Sequence, residues 1–273
     1  MNAPDPAPAP RVLVFDSGLG GLTVLAEIVK ARPDAEILYA ADDAFFPYGA
    51  LTEARLVERV VEAIAAQIAQ FEPDVVVIAC NTASTLVLAP LRGAHPRVRF
   101  VGTVPAIKPA AEASRSRLIS VLATPGTVAR DYTRALVRDF AGDCEVTLVG
   151  SSRLAAVAER RLRGEEIDAE EVACEIAPCF VARGARRTDQ IVLACTHFPL
   201  LTDLFAAMAP WTVSFVDPSP AIARRVDALL GARLSMQARR DLAPAVFTSG
   251  MAPPPKLQQA LLAYGLAVRG VAE

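Results

Sequence analysis

Two short apolar runs constrain this 273-residue chain more than anything else in it. Val75-Val76-Val77-Ile78-Ala79 ends at Cys80, and Ile191-Val192-Leu193-Ala194 ends at Cys195. A continuous run of this kind reads as a strand buried on both faces, the type from which parallel sheets are built. Each run is followed by residues that turn a chain or open a helix: Asn81-Thr82-Ala83-Ser84 in the first half, Thr196-His197 in the second. A side chain at such a junction stands on the carboxyl edge of the sheet, where open α/β folds hold ligands. A free cysteine by itself is usually packing. The same Ala-Cys-polar-polar phrase in both halves points instead to two thiols across one cleft, one to remove a proton and one to supply it.

The rest of the chain supplies a frame for those two sites. Residues 11–16 read as a strand, Gly18-Leu19-Gly20-Gly21 as a tight turn and 22–30 as a helix. The glycines leave room for a ligand beside backbone N–H groups, but their spacing is not that of a dinucleotide site. Asp16, just after Phe15, requires a cation or a donor. Residues 36–41 form the next strand. The loop from Asp42 to Gly49 carries Phe45, Phe46 and Tyr48, which either wall a pocket or fold back as a surface turn. An amphipathic helix follows over 53–71, and a strand over 98–104. The second lobe then restarts the plan. Thr124 and Thr127 stand where the first lobe has Asp16 and Ser17, either to bond a carboxylate or to cap a helix over 128–140. A strand at 145–150, a helix at 153–161 and a helix at 167–183 lead to the second thiol strand; Cys174 and Cys179 on the last helix read as packing. A strand at 213–216 and a helix from about Ile222 precede a return to the first lobe. The expected architecture is α/β with two pseudo-symmetric lobes, each a mostly parallel sheet flanked by helices, and the active site between them. One lobe comprises 11–103 and 217–273, the other 104–216, after a disordered Ala/Pro-rich tail at 1–10.

Composition narrows the chemistry. A net charge of −2 and a pI near 5.8 offer no surface for nucleic acid. Lys30, Lys108 and Lys256 are the only lysines and none follows a strand end, which argues against a pyridoxal Schiff base. Two histidines and five cysteines without a Cys-x-x-Cys argue against zinc and against a disulfide scaffold. No apolar run approaches the ~20 residues that span a bilayer, and no signal peptide is visible. The expectation is a soluble, cytoplasmic protein without metal or cofactor.

The motifs together resemble the glutamate racemases of the aspartate/glutamate racemase superfamily. The stretches that carry the likeness are Phe15-Asp16-Ser17-Gly18-Leu19-Gly20-Gly21, Phe46-Pro47-Tyr48-Gly49, Ala79-Cys80-Asn81-Thr82-Ala83-Ser84 and Cys195-Thr196-His197-Phe198-Pro199-Leu200-Leu201. Val104-Pro105-Ala106-Ile107-Lys108-Pro109 and Ala123-Thr124-Pro125-Gly126-Thr127-Val128 add to it. The resemblance implies a cofactor-independent racemase that makes D-glutamate from L-glutamate for peptidoglycan, with a homodimer possible and no membrane or nucleic-acid partner. It implies Cys80 and Cys195 as the catalytic thiols, with Asp16, His197 and Glu159 assisting. Asp16, Ser17, Tyr48, Gly49, Asn81, Thr82, Thr196 and His197 match the substrate contacts. The family often has Cys-Pro shortly before the residue that Glu159 matches, and this chain has Ser151-Ser152.

The chemistry asks for such residues. An α-proton is a very weak acid, so inversion needs a base on one face of the carbon and an acid on the other. A free thiol has a pKa of about 8.5, which a helix N-terminus or an imidazolium lowers. Three other readings stay open on sequence: an aspartate or hydantoin racemase, a thiol hydrolase using Cys195 and His197 that leaves Cys80 idle, and a two-lobed amino-acid sensor.

Overall fold

A computed structural model describes residues 8–233 and 241–268. The first half of the chain alternates strand and helix: β1 (Arg11–Asp16), α1 (Leu22–Ala31), β2 (Glu36–Ala41), α2 (Glu53–Phe71), β3 (Val75–Ile78), α3 (Asn81–Ala94), β4 (Arg99–Gly102) and α4 (Ile107–Ala113). The second continues with β5 (Leu118–Ala123), α5 (Pro125–Ala129), α6 (Asp131–Phe140), β6 (Glu145–Gly150), α7 (Leu154–Leu162), α8 (Ala169–Ile176) and a small hairpin of β7 (Ala182–Arg183) and β8 (Arg186–Arg187). Then come β9 (Gln190–Ala194), α9 (Thr202–Met208), β10 (Ser214–Val216), α10 (Ser219–Leu230), β11 (Ala243–Phe247), α11 (Pro255–Ala263) and β12 (Leu266–Val268).

Among the described residues the long strands form two parallel sheets. One has the order β12-β11-β2-β1-β3-β4 and the other β10-β9-β5-β6. The α/β class with helix-flanked parallel sheets is borne out. β11 and β12 join the first sheet from the far end of the chain, β11 pairing beside β2. Residues 1–7 of the expected tail lie outside the described residues.

Burial on both faces explains the apolar runs. Val75 and Val77 pack with Val12 and Val14 on one face, while Val76, Ile78 and Cys80 pack with Leu13 and Phe15 on the other. Ile191, Leu193 and Cys195 likewise share one face of the second sheet. The two-residue period of a strand therefore puts each thiol on the face of its sheet's alternate large residues.

Several expectations need correcting. The helix at 128–140 is two helices, because Arg130 is extended (φ −68°, ψ 135°). The Thr133 hydroxyl takes the Thr127 carbonyl at 2.7 Å in place of a continuing helix bond. The helix at 167–183 stops at Ile176, ahead of Pro178, and gives way to the hairpin, whose turn holds Gly184 at φ 61°. Cys179 is buried in the core, but Cys174 is exposed and packs nothing. The strand at 98–104 covers only Arg99–Gly102, and the helix from about Ile222 already starts at Ser219, after Pro218. No helix among the described residues is long and apolar enough to cross a membrane.

Candidate active site

Both thiols open onto one cavity. Its wall includes Ser17, Tyr48, Gly49, Cys80, Asn81, Thr82, Cys195, Thr196 and His197, all expected at the site, together with Phe46, Pro47, Thr124 and Ala155. The space enclosed is about 20 Å³, room for roughly one water. That is less than an amino acid occupies. Asp16 and Glu159, also expected here, do not line the wall; each stands one layer behind it.

Asp16 ends β1 and is fully buried. Its carboxylate accepts from the Gly18 N–H at 3.0 Å, the Thr196 hydroxyl at 2.9 Å and, more weakly, the Ser17 hydroxyl at 3.4 Å. Burial raises its pKa above the usual carboxylate value, and His197, Thr196 and Gly18 only partly oppose that.

Cys80 sits at the N-cap of α3 and is nearly buried. The Ser17 hydroxyl lies 3.7 Å from its sulfur. A helix start is expected to favour the thiolate, but burial, followed by the Asp16 charge, pushes this thiol up to about 12 against the Ala83 N–H and Ser17. Cys80 therefore rests protonated.

Cys195 has different company. Its sulfur is 3.9 Å from His197 Nδ1, and His197 Nε2 lies 3.0 Å from Glu159 Oε1. No α-helix begins directly after Cys195; a single 3-10 turn, Phe198–Leu201, precedes α9. Glu159 comes from α7, and its Oε1 also accepts the Leu19 N–H at 2.7 Å, while Arg163 approaches Oε2 at 3.5 Å. Burial pushes against both charges of the pair. The Cys195 and Glu159 contacts outweigh it and hold the imidazole well above its ordinary pKa; His197, the Leu19 N–H and Arg163 hold Glu159 below its own. The pair is thus imidazolium and carboxylate. The Gly20 N–H points at the same Nε2 from 3.2 Å, so this nitrogen stands between that donor and the Glu159 carboxylate.

The Gly-rich turn packs closely on the opposite half of the protein. A Cβ at Gly20 would meet Thr196 Oγ1, His197 Nδ1 at 2.5 Å and the His197 nitrogen at 2.7 Å, and one at Gly18 would strike Glu159 Oε1. Neither glycine has a positive φ; the requirement is space.

Sheet register corrects one equivalence. Phe15 pairs with Ile78, so Ser17 falls beside Cys80; Ala123 pairs with Ala194, so Thr124 falls beside Cys195. Thr124 therefore matches Ser17, and Ala123 takes the place of Asp16. Of the two roles left open for Thr124 the structure shows the cap, at α5, through the Thr127 N–H at 3.3 Å; the residue also lines the cavity. Thr82, Thr124 and Thr127 form a triangle of hydroxyls at 3.0–3.4 Å. Beside it, the buried amide of Asn81 has no partner at either atom, which is costly unless a ligand supplies one. No cluster of three or more His, Cys, Asp or Glu among the described residues is placed to hold a metal.

The profile of the family described as Asp/Glu/Hydantoin racemase matches residues 16–226. The chain is 56% identical to the glutamate racemase of Brucella ovis over 230 residues, covering 84% of this chain and 83% of that one. It is 51% identical to that of Sinorhizobium fredii over 258 residues, 94% and 96% of the two chains. The fold superposes on Escherichia coli glutamate racemase, solved with L-glutamate and the activator UDP-MurNAc-ala, with a TM-score of 0.85 at 39% identity, covering 97% of this chain and 100% of that one.

Proposed function

The chain belongs to the Asp/Glu/hydantoin racemase family and is a racemase, and from that premise we propose that it interconverts L- and D-glutamate by two-base thiol chemistry, without a cofactor. One observation carries the proposal: thiols from matching strand ends of two sheets share one cavity. In the resting state His197 is an imidazolium against Cys195, so this sulfur has a positive partner for a thiolate, and Cys80 holds its proton. Cys195 then takes the α-proton from one face and Cys80 returns one to the other. The reverse reaction exchanges the roles. Asp16 and Glu159 act from behind the wall, on Thr196 and His197. Asn81, Thr82 and the backbone around Tyr48 and Gly49 hold the substrate's polar groups. The developing carbanion is stabilised by a dry site with fixed dipoles, formed as the halves close. Acting in the cytoplasm, the enzyme supplies D-glutamate for peptidoglycan.

A Cys195–His197–Glu159 line is also how a thiol hydrolase activates its nucleophile. It leaves the second thiol in the cavity without work. The deciding experiment is a chiral assay of the purified protein with L-glutamate, L-aspartate and a hydantoin, with no cofactor added. Racemisation of glutamate is expected. Turnover confined to another substrate, or an acyl group trapped on Cys195 and seen in the intact mass, would overturn the proposal.

A further inference from the structure

Asp42 follows β2, is fully buried and takes no part in the steps above. Its carboxylate gathers donors from three distant stretches. Arg59 of α2 gives Nε to both oxygens at 3.0–3.1 Å and Nη2 to one at 2.5 Å. The Tyr48 hydroxyl donates at 2.5 Å, and the Thr248 hydroxyl, just past β11, at 2.6 Å. Next to it, Asp43 accepts from the Ser249 N–H and hydroxyl at 2.9 and 2.5 Å. Arg59 also lies over the Phe45 ring, 4.4 Å from its centroid. The loop that carries Tyr48 and Gly49 is thus tied to the C-terminal strand of the first sheet.

The tie settles what Tyr48 offers the cavity. A phenol has one donor hydrogen, and here it points at Asp42. The Tyr48 ring is buried with Cys80 in the same apolar cluster. A substrate therefore meets the ring and the backbone at Gly49, not a free hydroxyl donor.

We infer that Asp42 is a positioning residue for substrate binding: it acts through Tyr48 to hold the Tyr48–Gly49 wall against the cavity, with Arg59 balancing its charge and Thr248 anchoring it to the C-terminal strand. The inference deepens the racemase reading and rests on it for its kinetic test. A buried carboxylate with an arginine also stabilises a fold once formed, so the test separates fit from stability.

The variants are Tyr48→Phe, Thr248→Val, Asp42→Ala, and Tyr48→Phe combined with each of the others. Losing one charge-assisted hydrogen bond should raise KM for glutamate about tenfold or more, with a smaller change in kcat. Tyr48→Phe should add nothing in the Asp42→Ala background, since both remove one hold. Effects that multiply would mean that the Tyr48 hydroxyl meets the substrate directly, and an unmoved KM would mean that the wall needs no such tie; either overturns the inference. Should Asp42→Ala fail to fold, the labelling contrast that follows decides in its place. A readout without turnover is the iodoacetamide labelling rate of Cys80 against exposed Cys174 by peptide mass spectrometry. Thr248→Val should speed the first and leave the second unchanged; no change at Cys80 contradicts the inference. Inactive wild-type protein would sink the racemase reading, and this labelling contrast would still judge the tie.

Discussion

The two thiol sites stand at matching strand ends and have opposite electrostatics. Cys80 and Cys195 each follow a buried central strand, one residue beyond an alanine, opposite a hydroxyl on the neighbouring strand. Around Cys80 the near charge is the Asp16 carboxylate, which together with burial keeps the proton on sulfur. Around Cys195 the near charge is His197, held positive by Glu159 and by the sulfur itself. The repeated fold supplies two matching seats with unlike charges beside them, the Asp16 carboxylate at Cys80 and His197 at Cys195. A two-base inversion needs that inequality at the outset.

The supports also cross the cleft. Asp16 of the first sheet bonds Thr196 of the second half, Glu159 of the second half takes the Leu19 N–H of the first, and Thr82 meets Thr124 and Thr127. These bonds join the two halves around both thiols and keep the cavity tight.

The harshest way to break the comparison is to remove either sulfur. Cys80→Ala and Cys195→Ala should each lower kcat for racemisation by about 10³-fold or more, in both directions, as loss of an acid–base group does. A variant that keeps near wild-type racemisation contradicts equal need for the two. Next is the charge behind Cys195. Glu159→Gln leaves the buried imidazole without its carboxylate and should destabilise the fold by on the order of 3 kcal/mol, measured by chemical denaturation at pH 7. Glu159 has a lowered folded pKa, so its contribution is present above its ordinary 4.5 and fades as pH falls through the folded value. The raised pKa of His197 contributes below its ordinary 6.5 and is lost as pH rises through the folded value. The stability gap between wild type and Glu159→Gln should therefore narrow in acid. A smaller effect is expected of Gly20→Ala, which pushes a methyl at His197. Its kcat should fall roughly 10²-fold, the cost of misplacing a catalytic group, with far-UV circular dichroism unchanged. The smallest change separates the two carboxylates by sign. The folded pKa of Asp16 is raised, so its ionised form costs stability above that pKa. Asp16→Asn should raise Tm at pH 7 while slowing turnover, the reverse of the Glu159→Gln effect on stability; a fall in Tm would remove the contrast.

The central frame was legible because buried parallel strands announce themselves as Val/Ile runs. β2, α2 and β6 lie where the pattern placed them, and the two cysteines of the repeated Ala-Cys phrase line one cavity. What stayed hidden depends on neighbours in space. Nothing local says that the Gly18–Gly21 turn must clear His197 and Glu159 from the other half, or that Cys80 at a helix start is governed by burial and by Asp16. Glu159 was reachable through family resemblance alone, since an acid within a helix carries no local mark. Thr124 was mismatched by one residue because sequence order cannot show sheet register. The break at Arg130 is decided by one extended residue within an otherwise helical stretch, while α8 tightens into a 3-10 turn, Ala177–Cys179, that ends at Phe180.

The most direct test of two unequal thiols facing one carbon is early-time turnover of each glutamate enantiomer in heavy water, with both enantiomers analysed for deuterium at Cα. The account predicts that the product carries deuterium from its first appearance while the remaining substrate keeps its proton, because the sulfur that takes the proton is not the one that gives it back. Product that retains the original proton, or deuterium entering both enantiomers at the same rate, would contradict it.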